Sequence, residues 1–301
     1  MTLKELFIRP GTGILRPGWR IPWLILWMAP LVVALGGLVT LARRHVPGPW
    51  LPVPRALLGL ALIFGALTIY RRFIRRVERR APLEVQVDAR TPRHVGLGFL
   101  LGGGAMLLIT ALLALAGAYR VEGFHSPWLL LKATILYLPQ SFSEDFFFCL
   151  VLFCPLREGL GRWPALILAP LLFALAHVGN PNESVLGIAE IVTSGMVMYY
   201  AFDRTGRFWT VWALHFSWNF TMNGVLGMAN SGLALQGWIR PALAGPAWLT
   251  GGATGPEASA LALGLDLLML LLLSRLPAQW LQGGTPVQET WAGVPPTKGL
   301  S

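Results

Sequence analysis

The 301-residue sequence is 54% hydrophobic and 13% charged, against about 25% charged in soluble domains, and its mean hydropathy is +0.59. That composition excludes a water-soluble globular chain. The net charge of +10 does not point to nucleic acid, because 18 of the 24 Lys and Arg fall on one side of a membrane once the apolar runs are taken as spans.

Taken in chain order, eight apolar stretches approach or reach the ~20 residues that a helical crossing needs. They are 21–42, 52–70, 96–118, 128–155, 162–178, 184–202, 207–228 and 258–281. In lipid the backbone must satisfy its own hydrogen bonds, so each is expected as a helix. The first is too long for a signal-peptide core and ends in Arg43-Arg44 rather than small residues, so it is expected to remain. The expected fold class is all-α: a polytopic membrane protein of about eight transmembrane helices, N-terminus and C-terminus cytoplasmic. A single membrane domain over 21–281, with its motif core at about 128–228, is expected between a cytoplasmic N-terminus (1–20) and a cytoplasmic tail (282–301). The expected location is the bacterial inner (plasma) membrane.

After the second stretch, YRRFIRRVERRAPLEVQVDARTPRH sets arginine pairs at 71/72, 75/76 and 79/80, a spacing that collects them on one helix face. This basic 71–93 segment is expected as an interfacial helix that meets anionic lipid, or as a simple topological anchor. Gly98, Gly102, Gly103 and Gly104 give the third stretch a small-residue face suited to close helix packing. Residues 231–257, rich in Gly and Pro, read as an outer loop that partly re-enters the interface. Cys149 and Cys154, five apart on one helix, are expected to point in different directions as apolar filler.

The ionisable residues within the stretches are Glu144, Asp145, His177, Glu190, His215 and Asp266, with Lys132 near a helix end where it can snorkel. A carboxylate near the middle of a membrane helix costs roughly 2.5–3.5 kcal/mol on insertion scales, so such residues are functional candidates by default. Glu190 and Asp266 are expected to pair and hold helices together. The others agree in depth. At 1.5 Å per residue, Glu144, His177 and Asn219 each lie roughly 18–22 Å from the inner-end arginine of their own stretch, with His215 one turn below Asn219. Pro139 removes a backbone hydrogen bond just before Glu144 and can open a wet cavity there. Acid, imidazole and amide from three helices thus come to nearly one level, a layout that resembles a site. Acids and histidines at mid-membrane also make relays, so a proton-coupled carrier is an alternative class; the lack of repeated halves counts against it.

Three motifs, SEDFFFC (143–149), FALAH (173–177) and HFSWN (215–219), together resemble those of the CPBP family of intramembrane proteases. The family patterns are E-E-x-x-x-R, F-x-x-x-H and H-x-x-x-[ND], in that order on successive helices. The family includes type II CAAX-processing endopeptidases and bacterial relatives linked to bacteriocin self-immunity. The resemblance implies an intramembrane endopeptidase acting on a membrane-embedded or lipid-proximal peptide or protein. Glu144 would be the general base for an attacking water, assisted by His177, and His215 and Asn219 would stabilise the oxyanion. Asp145 and Cys149 would support them. The metalloprotease label of the family raises zinc, for which Glu144, His177 and His215 would be the ligands; the alternative is glutamate-activated water with no cofactor required. Two departures stand out: Asp145 replaces the second glutamate, and Cys149 replaces the motif arginine. Without that cation two adjacent acids lack compensation. This keeps open a weak or inactive relative that serves as a membrane scaffold or bacteriocin-immunity factor.

Overall fold

An apolar run in lipid has no water for its N–H and C=O groups, and this chain answers with helices. The computed structural model describes residues 6–9, 13–277 and 281; the expected tail 282–301 lies outside them. Eight helices follow the eight apolar stretches in order: α1 (Pro17–His45), α2 (Pro52–Glu78), α3 (Thr91–Leu115), α4 (Trp128–Leu160), α5 (Arg162–Leu175), α6 (Val185–Thr205), α7 (Phe208–Asn219, continued by the π-helical turn Phe220–Val225) and α8 (Ala260–Arg275). The fold is an all-α polytopic membrane bundle.

Among the described residues, five of these helices, α1, α2, α3, α4 and α6, are long and apolar enough to cross a membrane, fewer than the eight expected. The shortfall has physical causes. α5 has 14 residues and α8 has 16, below the ~20 of a perpendicular crossing. α7 carries His215, Ser217, Asn219 and Asn223, and it can do so because protein surrounds it: every residue from Phe208 to Asn219 except Trp212 is buried. It packs against α3, α4 and α6.

The glycine face of α3 is what lets α7 sit so close. A Cβ on Gly98 would fall 2.5 Å from the Thr210 carbonyl, and one on Gly102 would fall 2.0 Å from the Leu214 carbonyl. The Ser217 hydroxyl accepts the Gly103 N–H at 3.0 Å, locking the two helices in register.

Three features depart from the expected elements. The arginine pairs do not form a separate interfacial helix. The first two pairs lie on the last turns of α2, which runs to Glu78, and the third follows it, with Arg79 in the left-handed region. Here Arg71 donates to the Val85 carbonyl and Arg80 grips Glu78 and Glu84, while Arg72, Arg75 and Arg76 stay exposed. Two short strands also appear: β1 (Tyr119–Phe124) pairs antiparallel with β2 (Ile239–Leu243), with a bulge between Val121 and Gly123. The pairing draws the 231–257 loop over that end of the bundle. Finally, α4 changes to a π-helix over Phe146–Phe153, whose bonds join residues five apart. The Cys154 N–H bonds the Cys149 carbonyl, and the two thiols meet on one face instead of diverging; both are free.

Ion pairs close the arginine-rich end. Arg20 of α1 bonds Glu158 of α4 and lies 3.5 Å from Glu78 of α2. Arg157 and Arg162 both pair with Asp203 of α6, and Arg207 pairs with Asp88 at 2.7 Å.

Candidate active site

Neighbouring residues on a helix diverge by about 100°, so Glu144 and Asp145 cannot face the same way. Glu144 turns to a cavity and keeps a quarter of its side-chain surface exposed, while Asp145 is buried against α7. Both precede the π-helical stretch, a distortion frequent at functional sites.

His215 of α7 stands between the two acids. Its Nδ1 lies 3.0 Å from Asp145 Oδ1, and its Nε2 lies 3.7 Å from Glu144 Oε2. His177 follows the last turn of α5. Its Nδ1 contacts the Phe173 carbonyl at 2.8 Å, and because a carbonyl only accepts, Nδ1 carries the proton and Nε2 is left free. The Phe173 ring fixes this arrangement edge-on, 4.6 Å from the His177 ring and 6.0 Å from the His215 ring. Asn219 closes the α-helical part of α7, one turn beyond His215.

Glu144, His177, His215 and Asn219 all line one cavity of about 350 Å³, so three motifs far apart in sequence share a single space. Asp145 reaches that space only through His215. Cys149 does not reach it; it is fully buried in the core beside Cys154.

Asn180, Asn230 and Ser231 also line the cavity, and no sequence motif marked them. They lie in loops after α5 and α7, so only the tertiary fold brings them here. The Asn230 amide nitrogen is buried with no hydrogen-bond partner among the described residues, as is Asp145 Oδ2. A buried amide donor left free at a cavity wall is suited to a ligand carbonyl.

A smaller cavity of about 50 Å³ adjoins the first, sharing His177, His215 and Asn219 and adding Glu190, Glu257 and Asp266. The expected Glu190–Asp266 pair is looser than a direct bond. Thr193 holds Asp266 Oδ2 at 2.9 Å, while Glu190 Oε1 and Asp266 Oδ1 have no partner among the described residues. Glu257 lies in the loop before α8 and accepts the Ser231 backbone N–H; burial pushes its carboxyl up to about 7.

Among the described residues no three His, Cys, Asp or Glu side chains are placed to hold an ion, and both His215 nitrogens already face carboxylates. The geometry gives the metalloprotease label no support.

Comparison with known proteins agrees with the motif reading. Residues 126–221 match the family model described as Type II CAAX prenyl endopeptidase Rce1-like, a segment that contains all three motifs. No curated protein and no solved structure matches the chain.

Proposed function

From the match of residues 126–221 to the type II CAAX prenyl endopeptidase family model, we propose that this integral membrane protein is a CPBP/CAAX-type intramembrane endopeptidase that hydrolyses a membrane-embedded or lipid-proximal peptide by glutamate-activated water. The observation that carries this reading is the single cavity lined by Glu144, His177, His215 and Asn219.

In this mechanism Glu144 takes a proton from a cavity water, whose oxygen attacks the scissile carbonyl carbon. The free Nε2 of His177 accepts a second hydrogen bond from that water and aligns it. His215 donates from Nδ1 to Asp145, and as an imidazolium it offers its Nε2 proton to the developing oxyanion alongside the Asn219 amide. The tetrahedral intermediate collapses as Glu144 returns its proton to the leaving nitrogen. The C–N bond breaks, leaving a carboxylic acid and an amine. Every step runs through side chains and water, with no cofactor required. Asp145 serves as an orienting group for His215, as the carboxylate does in hydrolase triads.

The substrate is a membrane peptide or protein, the site of action a bacterial plasma membrane, and the exposed arginines of α2 meet anionic lipid there. One observation favours a second reading, a non-catalytic scaffold or immunity factor: with Cys149 in place of the motif arginine, Asp145 Oδ2 is buried without a partner among the described residues. Comparing the membrane peptides of cells that carry wild type or Glu144→Gln separates the two. A peptidase leaves uncleaved substrates in the variant alone, whereas a scaffold leaves the two profiles identical.

A further inference from the structure

Beside the catalytic cavity runs a larger one, about 1140 Å³, walled by α1, α2 and α4. Its lining is mostly aliphatic and contains no carboxylate, but it contains three cations, Arg43, Arg55 and Lys132. They come from three different helices. Arg43 lies two residues before the end of α1, Arg55 three residues into α2 and Lys132 four residues into α4, so all three sit at the end opposite the arginine-rich one. Among the described residues that end has six basic residues (Arg43, Arg44, Arg55, Arg120, Lys132 and Arg240), and half of them line this groove. None of the three has an ion-pair partner among the described residues.

A membrane protein that only needed to let cations snorkel would spread them around its perimeter. Here three cations with no ion-pair partner among the described residues crown one apolar trough near the helix ends, a pattern complementary to an amphiphile with an anionic head. We propose that the groove is a binding site for an anionic phospholipid, its phosphate held by Arg43, Arg55 and Lys132 and an acyl chain laid along α1, α2 and α4. A free phospholipid fits better than a lipid carried by a substrate, because the cations stand at helix ends, where a membrane phosphate sits unaided. The groove shares Leu136, Gln140 and Leu235 with the catalytic cavity, so the bound chain forms one boundary of the site. This site stands independently of the peptidase reading.

The test is native mass spectrometry of the full chain in detergent with added phosphatidylglycerol or phosphatidylcholine. Wild type is expected to retain one phosphatidylglycerol at least tenfold better than phosphatidylcholine. Arg43→Gln/Arg55→Gln/Lys132→Gln should lose that preference, on the order of fivefold per charge removed. Arg44→Gln/Arg120→Gln, exposed cations at the same end that do not line the groove, should keep it. Equal retention of both lipids by wild type, or equal loss in the Arg44→Gln/Arg120→Gln variant, overturns the proposal. A diazirine-bearing phosphatidylglycerol gives a readout in unaltered protein. Crosslinks on the groove-facing parts of α1, α2 and α4 support the site, and crosslinks confined to 71–93 overturn it.

Discussion

Asp145 grips the side of His215 that faces away from Glu144: Oδ1 meets Nδ1 at 3.0 Å, while Glu144 Oε2 stands 3.7 Å from Nε2 of the same ring. The adjacent acids of SEDFFFC therefore divide their roles, one orienting the imidazole and the other facing the cavity. An amide at 145 presents a weaker acceptor, or a donor, to Nδ1–H and removes the negative charge that holds the ring as an imidazolium. Asp145→Asn is expected to lower peptidase activity roughly 100-fold or more, by analogy with triad carboxylates, while unfolding in detergent stays near wild type. Activity within twofold of wild type would reduce the contact to packing.

Cys149 occupies the position of the motif arginine, yet the structure leaves it no room. It is fully buried, with Cys154 against it on the π-helical face. An arginine there could approach the unpartnered Asp145 Oδ2, but its added volume must displace a packed core, which costs roughly 1–3 kcal/mol or more. Cys149→Arg should therefore lower the unfolding temperature by several degrees, and Cys149→Ala should do so only slightly. An arginine variant as stable as wild type would show that the site still accommodates the motif cation.

Much of this was legible in the sequence, for identifiable reasons. Long apolar runs have one solution in lipid, so the helix order followed directly, and the glycines of α3 announced a close helix contact, whose partner α7 only the structure identifies. Glu144, His177, His215 and Asn219 could be singled out as candidates because they are costly in a membrane and fall in motifs of fixed spacing, and they line one cavity. What remained hidden depended on tertiary geometry. The β1–β2 pair joins segments more than a hundred residues apart, and YRVEGF carries no clear alternation. The π-helix over Phe146–Phe153 has no local signature, so the meeting of Cys149 and Cys154 could not be seen. Asn230 lies in a loop whose path only the folded bundle defines.

The α3–α7 contact gives a test of how the site is positioned. A methyl on Gly102 would lie 2.0 Å from the Leu214 carbonyl, next in sequence to His215. Gly102→Ala should destabilise by roughly 1–3 kcal/mol and reduce activity by shifting His215. On the same helix Gly96 has no atom within 4 Å of its would-be Cβ, so Gly96→Ala should be neutral or stabilising by up to ~1 kcal/mol. Equal effects at both positions would count against the close approach.

Glu257 sets a pH dependence of stability. Its folded carboxyl titrates near 7 instead of the ordinary 4.5, because burial disfavours the charge. Between those values the native state holds a proton that the unfolded chain has lost, so stability falls as pH rises through this window. Glu257→Gln removes the loss. Thermal unfolding of wild type in detergent should weaken from about pH 5 to about pH 8 more than that of the variant. Parallel curves would mean that Glu257 ionises freely in the folded protein.

The central claim is that Glu144 activates water in the cavity it shares with His177, His215 and Asn219. The direct measurement is the hydrolysis rate of a membrane peptide that accumulates in Glu144→Gln cells, using purified wild type, Glu144→Gln and His177→Ala reconstituted in bilayers. General-base contributions are on the order of 10²–10⁴-fold, so Glu144→Gln should fall by at least that much and His177→Ala by somewhat less, with both proteins folded. Cleavage by Glu144→Gln at the wild-type rate would contradict the account.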